Sequence, residues 1–570
     1  MHKVRYVVYG AGYNVKAFVK RMKFYANVYC IIDNDINKAN TKIGGIEVKL
    51  ADEWFKNQYK GHESFYKILV SVTNPDALHE IDNDLKDRGL EYSKDYFFST
   101  QFFFPEVEFQ SPFPGICKAF RTVPEGYIAR KSFATDSYII RNKGNEIYRI
   151  ILGEDNAKKY KKIYEICNDN RLFGSYIVDT SITNQFSCYK DNLVFKHKYL
   201  PRTEMSFEFS EGMYSDYVYW MLEFADVLTD CGLGLPDAHG RNATIYNGHF
   251  IFYDFGSFDL NGYISGRSIQ QIIEYIVLPL VMMKKGQQGR AYMYLKNDRT
   301  MMVQDIVGYI TESELEELKG IYEDIIYVTD KKSSIRVIDR IKKFIDSITA
   351  RHETTTWNEY QDFEWKNSSN IEKWSTKMQN ADYLLNEIDF RTVTDLAGNQ
   401  GWYSVHLMDK IDNAVVVDTD QDALNRLWQR IQDENISNVY PVYMSITSPS
   451  LPEYWGGLVD GKSIKPISLG ATDRYKSEVA IALSIVHHLA FRMCLNFDEI
   501  INLVGSFTSR YLLIEFIDQT DQYISDWIKD GYEWYTRENF EKVLKRSFKI
   551  IEQKESTPEE TRTLYLCEKL

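Results

Sequence analysis

The feature that most constrains the fold is an ordered series of short apolar segments in the last third of the chain. Phe390–Asp395 reads as a strand, residues 396–401 as a turn of small residues, and Trp402–Lys410 as a helix. Ala414–Asp418 is a second strand that ends in an acid. Strands that alternate with helices form a parallel sheet, and ligands bind at the carboxyl ends of its strands. The pattern therefore predicts an α/β domain with a binding site beside this turn.

Five later segments continue the series, namely Val439–Met444, Glu478–Val486, Tyr511–Phe516, Phe548–Glu552 and Arg562–Leu566. The last two predict an antiparallel pair that closes the sheet, which a dehydrogenase-type Rossmann domain does not usually have. Over about residues 365 to 570 the series resembles the class I methyltransferases that occur beside nodulation, capsule and O-antigen genes.

The resemblance implies a binding site for S-adenosylmethionine. The residues that it assigns to the cofactor are Asp395, Gly398, Asn399, Gly401 and Asp418. The small-residue turn would approach the methionyl part, and Asp418 would accept hydrogen bonds from the ribose hydroxyls. The sequence departs from the family where Ala397 and Asn399 replace two glycines of the commonest turn. It also departs where Ser445 replaces an acid near the adenine.

Two adjacent histidines, His487 and His488, follow the predicted strand Glu478–Val486. Neighbouring side chains on a strand point to opposite faces, so we expect one histidine to be structural. The other would be a catalytic base or a contact to an anionic substrate near the methyl donor. Arg474 and Lys476 precede this strand, either to neutralise a phosphate or as solvated loop charges.

A second informative stretch lies in the middle of the chain. Asp237 is followed five positions later by Asn242, and then by a short apolar hairpin that ends in Asp254-Phe-Gly. Phosphoryl transfer needs a carboxylate to position the attacking hydroxyl, together with an amide oxygen and a second carboxylate on the metal. The alternative is an ordinary polar turn and hairpin.

The stretch resembles the catalytic segment of the aminoglycoside phosphotransferase-like kinases, over about residues 120 to 350. The resemblance implies that Asp237 is the catalytic carboxylate, and that Asn242 and Asp254 hold Mg²⁺ beside ATP. His239 would fix the loop or serve as a structural histidine.

The segment before this stretch would form the small lobe of such a kinase. Residues 137–152 read as a hairpin with a tight turn, and Asn156–Asn168 as a charged helix. No Val-Ala-Ile-Lys motif is present. Arg149 stands where the basic strand residue of the kinases falls, and Glu165 is the helical acid that would pair with it. Lys196 or Lys198 would be the substitute for Arg149, whose other reading is a surface strand residue.

The N-terminus begins with a strand, Val4–Tyr9, a turn that contains Gly10 and Gly12, a helix, and a second strand that leads to Asp33. This is the opening of a nucleotide-binding α/β unit, because the glycines admit a pyrophosphate and the acid accepts from a ribose. Val15 stands in place of the third glycine. The unit resembles the small Rossmann-like domains of some bacterial sugar-modifying enzymes. It would bind a nucleotide or sugar nucleotide, or serve as a scaffold for contacts.

Composition limits the classes of function. The 570 residues carry a net charge of −13, which argues against a general nucleic-acid-binding protein. The seven cysteines are scattered and odd in number, which favours a reducing compartment without a structural zinc site. The longest apolar stretch, Ile272–Met283, contains Glu274 and is too short to span a bilayer. No signal-peptide core is evident, so we expect a cytoplasmic protein with no integral membrane segment.

We therefore predict an α/β multidomain enzyme in three parts. These are a Rossmann-like domain (1–105), a two-lobed protein-kinase-like α+β domain (115–350), and a class I methyltransferase domain (365–570). The combination resembles the bifunctional kinase–methyltransferases of O-antigen synthesis. It implies a glycan or sugar-nucleotide acceptor in capsule or O-antigen synthesis, alongside other polysaccharide-assembly proteins. A modifier of antibiotics or natural products, and a methyltransferase with a regulatory pseudokinase, are the alternatives.

Overall fold

A computed structural model gives the structure of the chain. It describes residues 5–12, 15, 19, 28–63, 66–72, 75–91, 95–98, 128–131, 137–141, 145–151, 153–185, 193–200, 203–297, 299–350, 354–355, 357–451, 469–528, 531–558 and 560–570. The chain divides into two compact units. The first holds Met1–Lys162, Asp179–Tyr199 and Pro452–Leu469, and the second holds the remaining residues, including Leu200–Leu451 and Gly470–Leu570.

The first unit begins with a six-stranded sheet in the order β3-β4-β2-β1-β5-β6. Its strands are β1 (Arg5–Tyr9), β2 (Val28–Asp33), β3 (Lys42–Ile43), β4 (Ile46–Leu50), β5 (Tyr66–Val70) and β6 (Tyr96–Phe98). All neighbours are parallel except β3 and β4. The helices are Ala51–Trp54, which continues as a π-helical turn, and Pro75–Asp87. The predicted helix after Gly12 lies mostly outside the described residues.

The second sheet of the first unit is antiparallel, in the order β10-β11-β9-β8-β7. Its strands are β7 (Ile128–Lys131), β8 (Ser137–Arg141), β9 (Ile147–Ile151), β10 (Thr180–Ile182) and β11 (Leu193–His197). The helix Glu154–Asp169 follows β9. The hairpin predicted for residues 137–152 is formed by β8 and β9, and the charged helix after it is also present.

The second unit contains a two-stranded hairpin of β12 (Ala243–Tyr246) and β13 (His249–Phe252). The α-helices of this part of the unit are Glu211–Asp230, Gly266–Ile272, Leu278–Lys284, Gln288–Lys296, Val303–Ile306, Glu312–Ile326 and Lys331–Ser347. A π-helical turn, Ile273–Val277, joins two of them. Glu211–Asp230 buries residues at helical spacing, including Met221, Leu222 and Leu228, because its apolar positions recur on one face.

The other part of the second unit is a seven-stranded sheet in the order β16-β15-β14-β17-β18-β20-β19. Its strands are β14 (Thr392–Leu396), β15 (Asn413–Asp418), β16 (Val439–Tyr443), β17 (Ser477–Ala482), β18 (Thr508–Ile517), β19 (Phe548–Glu555) and β20 (Arg562–Lys569). The first five are parallel to one another, and β20 is antiparallel to β18 and β19. The predicted antiparallel closing pair is confirmed.

Helices lie before β14 and on the connections between the strands of this sheet. They are Asp362–Asn367, Thr376–Asn386, Trp402–His406, Gln421–Glu434, Ala471–Arg474, Val486–Phe491, Phe497–Ser506 and Arg537–Ser547. The central strands β14, β15 and β17 are buried along most of their length, as expected for parallel strands covered on both faces.

The helical part and the seven-stranded sheet of the second unit pack directly against each other. Trp428 Nε1 donates a hydrogen bond to Asp216 Oδ2 at 2.7 Å, and the rings of Phe250 and Trp428 lie 5.4 Å apart. At the tip of the β12–β13 hairpin, a Cβ added to Gly248 would lie 2.6 Å from the Ile436 carbonyl oxygen. The hairpin and the sheet region therefore share contacts within one compact unit.

Candidate functional site

The acid at the end of β15 lies beside the turn that follows β14. Asn399 N–H donates to Asp418 Oδ2 at 2.7 Å, and the N–H groups of Thr419 and Asp420 donate to Oδ1 at 2.7 and 2.8 Å. Burial raises the pKa of Asp418 above its ordinary value, although these backbone donors act in the opposite direction. Turn and acid thus form a single cradle at the carboxyl ends of two adjacent parallel strands.

The backbone of this turn is left-handed at three positions. Ala397, Asn399 and Gly401 have φ values of 56°, 51° and 70°. Asparagine tolerates this region and glycine favours it, whereas alanine pays a steric cost. A Cβ on Gly401 would also lie 2.8 Å from Leu427 Cδ2. The two residues that replace glycines of the commonest turn therefore keep the backbone shape that the glycines would give.

Asp395 is buried behind the turn, at 3% exposure. Ser404 Oγ donates to its Oδ2 at 3.0 Å, and burial raises the pKa of Asp395 to about 7. A Cβ on Gly398 would lie 2.8 Å from Asp395 Cγ, so the turn packs closely on this carboxyl. Of the five predicted cofactor residues in this region, Asn399 and Asp418 line the adjoining cavity, while Asp395, Gly398 and Gly401 shape the turn.

A cavity of about 620 Å³ opens beside the cradle. Its lining comes from the loops at the carboxyl ends of the strands, in agreement with the crevice rule for such sheets. The lining residues include Trp357, Tyr360, Ala397, Asn399, Asp418, Met444, Ser445, Ile446, Thr447, Ser484, His487, His488, Arg492, Tyr523, Trp527 and Arg562.

The structure corrects the prediction for the histidine pair. β17 ends at Ala482, Ser484 has a φ of 53°, and a new helix, Val486–Phe491, carries His487 and His488. Both histidines line the cavity, so the strand argument that only one could face it is wrong. Their ring centroids lie 4.3 Å apart.

Both histidines are held in the neutral form. Burial, with a contribution from His488, lowers the pKa of His487 to about 3. Burial and the nearby Arg492 lower the pKa of His488 to about 4. His487 is 7% exposed, and its Nδ1 has no hydrogen-bond partner among the described residues. A neutral imidazole in a cavity is able to accept a proton.

Aromatic rings form a continuous wall next to the histidines. His488 lies 5.7 Å from Trp357 and 5.2 Å from Trp527, measured between ring centroids, and Trp357 lies 6.0 Å from Tyr360. The Arg492 guanidinium lies over Trp527, with Cζ 4.6 Å from the ring centroid. Flat rings with a polar edge suit the binding of a ring-shaped acceptor.

A buried ion pair supports the cavity from behind. Glu515 is fully buried, and its Oε2 accepts from Lys377 Nζ at 2.9 Å and from Ser484 N–H at 2.8 Å. Ser556 Oγ donates to Glu515 Oε1 at 2.6 Å. Burial acts to raise the pKa of Glu515, but Lys377 and these hydrogen bonds lower it to about 2. This ionised carboxylate holds Ser484 in its left-handed conformation.

Sequence reasoning missed the contribution of the polar stretch before residue 370. Trp357 and Tyr360 line the cavity. The Trp357 carbonyl accepts from Asn399 Nδ2 at 2.8 Å, and the Asn358 carbonyl accepts from Gln400 Nε2 at 2.7 Å. The stretch lacks helical or strand periodicity, so its aromatic residues gave no usable signal.

The structure also corrects both readings of Arg474. Arg474 is buried, and its guanidinium donates to Glu208 Oε1 at 2.5 Å and to Ser450 Oγ at 2.8 Å. It is neither a solvated loop charge nor a phosphate contact, because a carboxylate already neutralises it. Lys476 is exposed and does not line the cavity.

The predicted phosphotransfer residues lie around the β12–β13 hairpin. Asn242 Nδ2 donates to Ser257 Oγ at 3.4 Å, and Ser257 Oγ donates to Asp254 Oδ2 at 3.0 Å. Asn242 Nδ2 also donates to the Asp237 carbonyl at 3.4 Å, and His239 Nε2 lies 3.4 Å from Asp237 Oδ1. All three predicted residues are therefore brought together at one end of the hairpin.

The residues predicted for the small lobe lie on or next to β9, β11 and the helix Glu154–Asp169. Arg149 lies on β9 and is 2% exposed, so its reading as a surface residue is wrong. Glu165 is exposed on the helix Glu154–Asp169. Lys196 pairs with Glu146 at 3.0 Å, and Lys198 is exposed after β11. Among the described residues, no group of three or more His, Cys, Asp or Glu side chains is arranged to hold a metal ion.

The N-terminal unit contains a cradle of similar design. Ala11 N–H donates a hydrogen bond to Asp33 Oδ2 at 2.6 Å. Gly10, which lies between the end of β1 and Ala11, has a φ of 105°. Lys38 Nζ lies 3.4 Å from the Asp33 carboxylate. A Cβ on Gly10 would lie 2.4 Å from Val72 Cγ2.

Comparison with known proteins gives no family assignment from sequence. No protein-family model matches the chain. No curated protein matches it either. Within the part of the chain that the structure describes, no helix is long and apolar enough to cross a membrane.

Solved structures similar to this chain include several methyltransferases. The N-methyltransferase NodS from Bradyrhizobium japonicum is 12% identical, with 37% of this chain and 98% of that chain covered and a TM-score of 0.25. Magnesium protoporphyrin IX methyltransferase (ChlM) from Synechocystis with bound SAH is 12% identical, with 38% and 94% covered and a TM-score of 0.27. A SAM-dependent methyltransferase from Aquifex aeolicus is 13% identical, with 33% and 89% covered and a TM-score of 0.24.

The class of fold rests on the order of the seven strands, the antiparallel β20, and the cradle formed by Asn399 and Asp418. Together they define a methyltransferase-like α/β fold for the C-terminal part of the second unit.

Proposed function

We propose that this protein is an S-adenosylmethionine-dependent methyltransferase that modifies a glycan or sugar-nucleotide acceptor in bacterial surface polysaccharide synthesis. The observation that carries the proposal is the cavity of about 620 Å³ that joins the Asn399–Asp418 cradle to a neutral histidine pair. One end of the cavity offers hydrogen-bond acceptors to a nucleoside. The other end offers a histidine base beside aromatic rings. Methyl transfer needs these two subsites next to each other.

The residues of the cradle fit S-adenosylmethionine. Asp418 lines the cavity, and its Oδ2 accepts one backbone hydrogen bond, which leaves a lone pair for a ribose hydroxyl. Asn399 Oδ1 has no partner among the described residues, which leaves an acceptor for an amino group. When bound, S-adenosylmethionine supplies an electrophilic methyl group on a cationic sulfur.

We assign the proton-accepting role to His488 and a supporting role to His487. His488 is half-buried, whereas His487 is almost wholly buried. A base with a pKa of about 4 is weak, but the proton on an acceptor oxygen becomes strongly acidic as that oxygen bonds to carbon. Such a base is sufficient for the transfer, and it stays unprotonated at neutral pH.

The acceptor class is inferred from the wall of rings. Trp357, Tyr360 and Trp527 offer flat faces on which a sugar or an aromatic ring can stack. A small antibiotic or natural product with a ring would use the same faces, and this is the alternative acceptor class. The resemblance to O-antigen enzymes favours the glycan.

The proposal is tested with S-adenosylhomocysteine calorimetry and a methyl-transfer assay on purified full-length protein. Candidate acceptors are oligosaccharides, sugar nucleotides, sugar phosphates and aminoglycosides. We expect binding of S-adenosylhomocysteine that Asp418→Ala weakens at least roughly 100-fold, and methyl transfer that His488→Asn reduces roughly 100-fold in kcat. If the wild-type protein does not bind S-adenosylhomocysteine, the proposal is wrong.

A second candidate function is ATP–Mg²⁺-dependent phosphotransfer to the same acceptor, with methylation of the phosphate that it installs. What favours it is the convergence of Asp237, Asn242 and Asp254 at one end of the hairpin. Asp237 would position the attacking hydroxyl, and Asn242 and Asp254 would hold Mg²⁺.

Asp237→Ala and Asp254→Asn separate the three readings of this hairpin. An active kinase loses ATP consumption with Asp237→Ala and keeps methyl transfer to a phosphorylated acceptor. A regulatory pseudokinase binds Mg·ATP, loses that binding with Asp254→Asn, and consumes no ATP. A structural hairpin shows neither behaviour.

The N-terminal cradle is proposed to bind a nucleotide or sugar nucleotide. The Asp33–Ala11 hydrogen bond and the positive φ of Gly10 support this, with Gly12 two residues later. Equilibrium dialysis against nucleotides and sugar nucleotides, with Asp33→Ala as the comparison, tests it.

A further inference from the structure

One wall of the cavity is a short segment that is hydrogen-bonded at both ends. Residues 444–450 follow β16, and four of them, Met444, Ser445, Ile446 and Thr447, line the cavity. At the first end, Met444 N–H donates to the Asp418 carbonyl at 2.9 Å. The position of this wall therefore depends on what holds the other end.

The other end is held by a residue far away in sequence. Ser450 Oγ donates to Glu208 Oε1 at 2.8 Å, and Arg474 Nη2 donates to both Ser450 Oγ at 2.8 Å and Glu208 Oε1 at 2.5 Å. The Ser450 carbonyl accepts from Ala471 N–H at 2.8 Å. Glu208 belongs to the segment before the helix Glu211–Asp230, outside the predicted methyltransferase part.

Both carboxylate oxygens of Glu208 accept hydrogen bonds from this network. Its Oε2 accepts from Arg474 Nη1 at 2.9 Å, Tyr475 Oη at 2.5 Å and Met205 N–H at 2.9 Å. The side chains of Arg474 and Glu208 are 5% and 1% exposed. Burial acts against ionisation of Glu208, but Arg474 outweighs it and lowers the pKa of the carboxyl. A buried, bidentate pair of this kind fixes the geometry of the groups that hydrogen-bond to it.

We propose that Glu208 and Arg474 are positioning residues of the methyl-donor cavity, which they complete by fixing the 444–450 wall through Ser450. This inference rests on the proposed function, because it assigns the cavity to the donor. It predicts that a segment outside the methyltransferase-like sheet contributes to the affinity for the methyl donor.

The test replaces the ion pair by neutral residues, because removal of one partner alone would leave a buried charge. The variant is Glu208→Gln with Arg474→Met in the full chain. Its matched control is Glu314→Gln with Lys285→Met, which removes another ion pair of the same unit with side chains 9% and 8% exposed. Neither control residue lines the cavity.

We expect the Kd of S-adenosylhomocysteine to rise roughly tenfold in the test variant and to stay within twofold in the control. The KM for S-adenosylmethionine should rise by a similar factor while kcat changes less than twofold, since neither residue touches the reacting groups. Ser450→Ala, which leaves the ion pair intact, should shift the Kd in the same direction.

An unchanged Kd in both Ser450→Ala and the double variant overturns the proposal, as does an equal loss in the control. If the double variant fails to fold, Ser450→Ala alone decides. Absence of S-adenosylhomocysteine binding to the wild-type chain is a different outcome, because it overturns the proposed function itself.

Discussion

The chain builds the same turn-and-acid cradle twice, once in each unit, with different surroundings. In both, a backbone N–H of the turn donates to the acid that ends the next strand, from Ala11 to Asp33 and from Asn399 to Asp418. Lys38 pairs with Asp33, whereas no lysine, arginine or histidine in the described ranges pairs with Asp418. A strand, a tight turn and a terminal acid are thus enough to form the cradle in both units, and the charged groups beside the acid differ between them.

The largest effect should come from removing the two acids. Asp418→Ala should weaken S-adenosylhomocysteine binding at least roughly 100-fold, because charged hydrogen bonds of about 1.5–3 kcal/mol each are lost. Asp33→Ala should leave this affinity unchanged. Calorimetry on both full-length variants measures this affinity. An equal loss of affinity in the two variants would contradict the assignment of S-adenosylhomocysteine to the second cradle alone.

Acid should destabilise the second cradle through Glu515. Its pKa is lowered to about 2 in the folded state from 4.5, so the stabilisation is complete above pH 4.5 and is lost as the pH falls toward 2. The full loss amounts to roughly 3 kcal/mol. Thermal midpoints of the wild type and of Glu515→Gln with Lys377→Met should converge across this pH window. If the two midpoints differ by the same amount throughout this pH range, ionised Glu515 does not supply the stabilisation.

Gly10→Ala should destabilise the first unit by roughly 2 kcal/mol. The added Cβ would lie 2.4 Å from Val72 Cγ2, at a φ of 105° that alanine disfavours. Chemical denaturation followed by circular dichroism measures the change. Gly12→Ala is the control, because a Cβ there would meet nothing within 4 Å.

The same kind of exchange in the second cradle should have a smaller effect of the opposite sign. Ala397→Gly relieves a residue held at a φ of 56° and should stabilise the protein by about 1 kcal/mol. The thermal midpoint should rise slightly. A decrease would show that the methyl group of Ala397 packs favourably enough to outweigh its backbone strain.

Much of the second cradle could be predicted from sequence, because Asp418 ends an apolar run and a turn of small residues precedes it. The histidine helix could not, since β17 ends at Ala482 owing to the left-handed Ser484, and Glu515 holds that residue from 31 positions away. The roles of Trp357 and Glu208 at the cavity could not be predicted from the sequence either. Their roles arise from long-range contacts, which local periodicity does not encode.

The close approach at Gly248 has a consequence for how such a chain can be rearranged during evolution or by engineering. A Cβ added to Gly248 at this hairpin tip would lie 2.6 Å from the Ile436 carbonyl oxygen. A larger residue at position 248 therefore requires a compensating change in the backbone around Ile436. Recombination at a point near residue 360 would part Gly248 from its neighbour and Asp216 from Trp428. The two halves of this unit are therefore expected to be inherited as one block.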